Sequence, residues 1–357
     1  MPTNNTISKI SISEKDNVLF LVASPFQVLC AYEAIKFWGI KNFMVLVIYN
    51  PADLRTNQLF NTLQYFNLEY KTFIAENTNK VFDVLIKKES NATIGQQKYN
   101  YIFVGDYPSA VQRSLAIRHI KKRGQIIYTD DGNTSLLILL NKKDFSIKAR
   151  LFNSFFSLLS LFKRIKKDIF FSTYANVQTK KTVIPNNLES LRFNDNLKKG
   201  VFFIGTNSIP YCEVHHIKIN SYYNLLEKIL TTLKMENKEQ KCYYVFHGRD
   251  IGNAQIKNIC TRCGFETLKL DQIIEMYFIE KKIEPLIAAG FTSSALFNLK
   301  KIFPQSEMVN ISIKTNIYTN KEYETISQYY RNNGIKEKKI ILNDNDESTF
   351  TTASFQA

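Results

Sequence analysis

Three short islands bring together groups that could do chemistry: Tyr128-Thr129-Asp130-Asp131-Gly132-Asn133, Phe246-His247-Gly248-Arg249 and Phe291-Thr292-Ser293-Ser294. A carboxylate can take a proton from a hydroxyl. An imidazole and a guanidinium can donate to phosphate oxygens. Hydroxyls at a helix start, with the free backbone N–H groups there, can bind an anion. Together these groups suit transfer from a phosphate-activated donor to an acceptor hydroxyl. Each island also has a plainer reading. Asp, Gly and Asn are ordinary turn residues, His247-Gly248-Arg249-Asp250 could be a surface turn, and Ser293 and Ser294 could simply cap a helix.

Each island follows a run with β character: QIIYT, CYYVF and LIAAGF. In open α/β sheets, ligands bind at the carboxyl ends of strands. Apolar runs at 18–23, 43–48, 101–104 and 125–129 alternate with helical patterns at 25–38, 55–66 and 109–119. Ser24 and Pro25 open the first of these helices as N-cap and first helical residue. A second series has strands at 201–204, 242–246, 287–291 and 308–313, with helices at 221–235 and 320–332. Strands that are apolar on both faces and separated by helices imply parallel sheets covered on both sides.

The bulk properties agree with this division. A chain of 357 residues exceeds one ordinary core. The expected layout is a flexible N-terminus (1–16), an α/β domain (17–185), a polar linker (186–199), a second α/β domain (200–342) and a flexible tail (343–357). Net charge is +15, which favours anionic partners, but no zinc-finger, RNP-type or basic-zipper pattern supports nucleic acid. Five cysteines, an odd number, argue for a reducing compartment over a disulfide framework. Cys260 and Cys263 form a lone CxxC, and Cys212 or Cys242 would have to complete a zinc site, so no metal is expected. His215 and His216 read as loop residues, as does Glu213 beside them. The longest apolar stretch, 151–162, is too short to span a bilayer. With Lys163, Arg164, Lys166 and Lys167 following, it reads as a core helix with a basic last turn; an interfacial anchor is the alternative.

Taken in order, the motifs resemble those of bacterial sialyltransferases of glycosyltransferase family 52, the lipooligosaccharide sialyltransferases, and bacterial sialyltransferases and polysialyltransferases more broadly. The pieces are VLFLVASPFQVLCAYEAI from Val18, the Asp130-Asp131-Gly132 island, IGTNSIPYCE from Ile204, His247, Ile274-Glu275-Met276-Tyr277 and GFTSSAL from Gly290. Two departures stand out: Gly248 replaces the family's proline, and the loop from Gly205 to Glu213 is longer.

The resemblance implies a GT-B fold of two Rossmann-like domains facing a central cleft. It implies an inverting, metal-independent transfer of sialic acid from CMP-sialic acid to a glycan or glycolipid. His247, Ser293 and Ser294 match the residues that contact the donor phosphate. Gly205, Thr206, Asn207, Gly248, Arg249 and Thr292 complete the donor-binding set, and Glu275 matches the acid that reads cytidine. The base is Glu213 by the pattern of this family, and Asp130 or Asp131 by that of related families. A cytoplasmic protein at the inner face of an anionic membrane follows, with a homodimer as one assembly it allows. The competing functions are transfer of another activated sugar (a different nonulosonic acid, Kdo or a nucleotide-hexose) and non-enzymatic binding of an anionic ligand.

Overall fold

The computed structural model describes residues 10–53, 55–75, 92–143, 145–166, 168–193, 197–315 and 320–342. The chain divides into two compact units, Met1–Ser190 and Leu191–Ala357. The expected flexible tail, 343–357, and the first nine residues lie outside the described residues.

In the first unit the strands are β1 (Val18–Val22), β2 (Phe43–Tyr49), β3 (Tyr70–Ile74), β4 (Tyr99–Val104), β5 (Ile120–Tyr128), β6 (Ile169–Ser172) and β7 (Thr182–Pro185). The described helices are α1 (Pro25–Trp38), α2 (Thr56–Tyr65), α3 (Ala110–His119), α4 (Asn133–Leu139) and α5 (Ile147–Lys163). The strands form one sheet in the order β3-β2-β1-β4-β5-β6-β7, and every pairing is parallel. All five residues of β1 are buried, as expected of a central strand covered on both faces. Phe20, Trp38, Phe103 and Phe171 knit helix to sheet: the Phe20 and Phe103 rings stack at 4.6 Å, and Trp38 lies 4.8 Å from Phe171.

The second unit contains β8 (Leu197–Lys198), β9 (Val201–Ile204), β10 (Cys242–Val245), β11 (Glu266–Leu268), β12 (Ile283–Glu284), β13 (Ile287–Gly290), β14 (Glu307–Thr315) and β15 (Lys336–Leu342). Its helices are α6 (Ser208–His215), α7 (Ile219–Glu236), α8 (Ala254–Arg262), α9 (Ile274–Lys281), α10 (Ser294–Ile302) and α11 (Lys321–Asn332). The main sheet runs β11-β10-β9-β13-β14-β15, and β12 pairs with β8 in a small second sheet. A core of its own gathers Phe203, Tyr222, Leu226, Tyr244, Ile259 and Phe291.

Counted from each unit's first long strand, both main sheets follow the order 3-2-1-4-5-6, with one strand more in the first unit. This is the doubly wound arrangement, whose strand order reverses between strands 1 and 4 and opens a crevice at their carboxyl ends. Those ends are β1 and β4 in the first unit, and β9 and β13 in the second.

Several expectations need correction. Residues 10–16 are tied down: Trp38 Nε1 donates to the Ile10 carbonyl and Tyr101 Oη to that of Ser11. The start of the expected linker is packed, with Asn186, Leu188 and Leu191 buried and Ser190 bonded to Glu33. Glu213 and His215 lie on helix α6 rather than in a loop. Pro210 does not break this helix, because it lies in the first turn, where proline is tolerated. His216 ends that helix in the left-handed conformation. Finally, α5 is not a core helix. Of its described side chains only Phe156 is buried, whereas Ile147, Leu151, Phe155, Leu158, Leu161 and Phe162 are exposed. Among the described residues no helix is long and apolar enough to cross a membrane.

Candidate functional site

The two adjacent aspartates after β5 have different surroundings. Asp130 is fully buried. Ser172 Oγ donates to its Oδ1 at 2.6 Å, and the Thr173 backbone N–H and hydroxyl donate to Oδ2 at 2.6 and 3.0 Å. Burial lifts its carboxyl to about 6, even though these bonds favour the ionised form. Asp130 thus ties β5 to the end of β6, and both of its oxygens are engaged.

Asp131 is only half-buried. Its backbone N–H donates to Ser135 Oγ at 2.9 Å. Oδ1 accepts from Gln27 Nε2 at 2.7 Å and from the Ser24 hydroxyl at 3.3 Å, leaving Oδ2 without a partner among the described residues. A carboxylate fixed through one oxygen, with the other open, can receive a proton at a defined position.

Gln27 is held by further bonds. Its Oε1 accepts from the Ala23 backbone N–H at 2.7 Å and from Gln112 Nε2 at 3.1 Å. The Gln112 Oε1 accepts from the Asp106 backbone N–H at 3.0 Å. Both glutamines are buried, so each amide is fixed in orientation by its neighbours. This polar chain crosses the carboxyl ends of β1, β4 and β5, at the switch point of the sheet. Gly105 makes room for it: a Cβ there would lie 2.2 Å from Gln27 Oε1.

Asp106 adds a second carboxyl to the group. Its burial, and then the negative charge of Asp131, raise it to about 7. Two neighbouring carboxyls in one crevice resist holding two charges, so Asp106 gives up its proton only as the pH approaches neutrality. Gln27, Gln112 and Asp106 were not singled out in the sequence. The available signal was Gly105-Asp106 directly after an apolar strand, the same pattern as the Asp130-Asp131 island.

In the second unit, Gly205, Thr206 and Asn207 lead from β9 into α6. A Cβ on Gly205 would meet Tyr244 Oη at 2.6 Å and the Val245 carbonyl at 2.8 Å, so only glycine lets these strand ends pack this closely. The His247 island follows β10. Arg249 N–H donates to His247 Nδ1 at 3.3 Å, so in the neutral ring the proton sits on Nε2. Asp250 N–H donates to the His247 carbonyl at 2.8 Å, and the Asp250 carboxylate accepts from Ser208 N–H at 2.9 Å, at the start of α6. His247 and Gly248 are half-buried and Arg249 is exposed.

After β13, Thr292 adopts φ +43, a strained conformation for a β-branched residue. Asn310 Oδ1 accepts its backbone N–H at 2.8 Å. Ser293 caps α10, its hydroxyl accepting from Ala295 N–H at 3.3 Å, while its carbonyl accepts from Tyr330 Oη at 3.0 Å. Ser293 therefore does cap the helix, and Ser294 stands beside it in the first turn. The strained Thr292 turn fixes where α10 begins, at the strand whose end shares the switch point with β9.

Glu275 is buried in the first turn of α9, where its Oε1 accepts from Asn298 Nδ2 at 2.7 Å. Burial raises its carboxyl above the usual range. Glu213 is exposed on α6. His215 is buried between Tyr211 and Tyr323, and burial lowers it to about 4. All five cysteines are buried and free. Among the described residues no three His, Cys, Asp or Glu side chains converge as a metal-binding group.

The chain has the GT-B fold. A sialyltransferase GT-B domain from Photobacterium damselae superposes with a TM-score of 0.53 at 13% identity, covering 92% of this chain and 100% of that one. An α/β-galactoside α-2,3-sialyltransferase from Photobacterium phosphoreum gives 0.53 at 14% identity, covering 91% and 99%. A protein described as a UDP-N-acetylglucosamine 2-epimerase from Listeria monocytogenes gives 0.53 at 9% identity, covering 84% and 79%. At these identities the likeness is one of fold. No protein-family model and no curated sequence matches the chain.

Proposed function

We propose that this protein is an inverting, metal-independent glycosyltransferase that moves sialic acid from CMP-sialic acid to a hydroxyl of a glycan or glycolipid. The observation that carries the reading is Asp131: a half-buried carboxylate after β5, tied to the switch point between β1 and β4 by Gln27 and Ser24 through one oxygen and open at the other. The likeness in fold to two Photobacterium sialyltransferase structures, over 92% and 91% of this chain, supports it, as does the resemblance in motifs.

In this reading Asp131 is the base. It takes the proton of the acceptor hydroxyl as that oxygen attacks the anomeric carbon. The bond from that carbon to the donor phosphate breaks on the opposite face, and its electron pair leaves with CMP. Base assistance of this kind contributes about 10²–10⁴-fold. Asp130, with both oxygens engaged, is assigned to structure. Among the described residues, the exposed Glu213 side chain has no fixed hydrogen bonds of the kind that orient Asp131.

The second unit holds the donor. His247 Nε2–H, Arg249, Ser294 and the N-terminus of α10 stabilise the charge that develops on the leaving phosphate. Gly205, Thr206, Asn207, Gly248, Thr292 and Ser293 shape the loops around it. Glu275 serves cytidine only where the base reaches into the start of α9, since its own side chain is turned into the core.

The test is a donor panel with EDTA present: CMP-N-acetylneuraminate, CMP-Kdo and UDP- and GDP-hexoses, offered with a galactoside acceptor and read by nucleotide release. Release from the CMP-nonulosonate alone supports the proposal. Release only from a nucleotide-hexose, or only when a divalent metal is added, overturns it.

A further inference from the structure

We propose that α5 is a membrane-docking helix that lies in the interface of an anionic bilayer. Its exposed apolar residues do not scatter around the helix. At 100° per residue, Ile147, Leu151, Phe155, Leu158, Leu161 and Phe162 fall within one arc of about 120°. Their exposure runs from 44% to 78%. The opposite side is anchored in the first unit: Phe156 is buried under the Arg113 guanidinium, 4.7 Å from its ring centroid, and Arg113 donates to Asn153. The helix is therefore held to the protein by one side and presents six large apolar side chains on the other.

Charge selects the occupant. From 142 to 167 the chain carries eight basic residues, Lys142, Lys143, Lys148, Arg150, Lys163, Arg164, Lys166 and Lys167, against one acid, Asp144. Lys142, Arg150, Arg164 and Lys166 are exposed, so cations flank the apolar arc at both ends. An amphipathic helix of this composition inserts its apolar face by about 5–10 Å at the boundary between headgroups and acyl chains, while its basic residues meet anionic headgroups. A second copy fits less well. A two-fold interface brings each patch against its own image, setting Arg150, Arg164 and Lys166 against like charges. The inference stands apart from the proposed reaction, which it would bring to lipid-linked acceptors.

The experiment is flotation of the full chain with vesicles of phosphatidylcholine alone, or with about 30 mol% phosphatidylglycerol. The unmodified protein is expected to float with the anionic vesicles. The triple variant Leu151→Ser, Leu158→Ser, Phe162→Ser removes exposed side chains, so its melting curve should stay unchanged while partitioning falls about tenfold or more. A second variant, Arg164→Gln with Lys166→Gln, should weaken partitioning on anionic vesicles about tenfold and leave neutral vesicles unaffected. No partitioning by the unmodified protein overturns the inference. So does a triple variant that floats as well as the parent, or a dimer that the same substitutions dissociate while the parent ignores vesicles. None of these readouts uses catalysis, so the result is separate from that of the donor panel.

Discussion

At the scale of single residues, adjacent identical side chains acquire different roles from their hydrogen bonds. Asp130 and Asp131 are indistinguishable in the sequence; contacts from β6 and α1 separate them, and both partners are distant along the chain. Asp106 is the sharper test of this environment. Its folded-state pKa, about 7, lies above the ordinary carboxyl value, so between about pH 4 and pH 7 the folded protein holds a proton that the unfolded chain has released. Stability from this group is therefore fully present below pH 4 and is lost as pH rises toward and past 7. Asp106→Asn should melt with the parent at pH 4 and above it at pH 8, by about 1–3 kcal/mol. Thermal melts across that range read it directly. A gap that widens toward acid would mean that Asp106 is ionised and paired in the fold.

At the scale of elements, the alternating series of strands and helices was legible because β1, β2, β4, β9 and β13 are apolar on both faces, and Ser24-Pro25 is a strong start signal that the structure uses as a cap. The strands β3, β6, β7, β8, β11, β12 and β15 were not anticipated. Edge positions explain β3, β7, β11 and β15: with one neighbour they need less continuous apolar sequence. The apolar run in α5 was visible, but its exposed face was not, because an amphipathic pattern does not say whether its stripe meets protein, lipid or water. The polar chain Asp131–Gln27–Gln112 was hidden for a different reason. A buried glutamine inside a helix looks like any surface glutamine until its partners are known. Gly105 is the element on which that chain depends. Gly105→Ala should push the Gln27 amide off Asp131, lowering stability by about 1–3 kcal/mol and reducing turnover more than nucleotide affinity. Melting curves and calorimetry with CMP would separate the two effects. Unchanged turnover would detach Gln27 from the chemistry.

At the scale of the whole molecule, one topology is used twice. Each unit places its loops at the carboxyl ends of a parallel sheet with the same strand order, so each offers a crevice in an equivalent position. The residues gathered at the two crevices differ. The first unit supplies carboxyls and fixed amides, which suit a proton acceptor. The second supplies an imidazole, a guanidinium, hydroxyls and a helix N-terminus, which suit a phosphate. The proposed reaction divides its work along the same line, and it takes Asp131 rather than Asp130 or Glu213 as base because of the hydrogen bonds that orient Asp131. The measurement that tests the account most directly is the turnover of Asp131→Asn with CMP-N-acetylneuraminate and a galactoside acceptor, beside its CMP affinity. Transfer is expected to fall about 10²–10⁴-fold with CMP binding and melting temperature unchanged. Transfer within a few-fold of the parent would contradict it and return the base to Glu213.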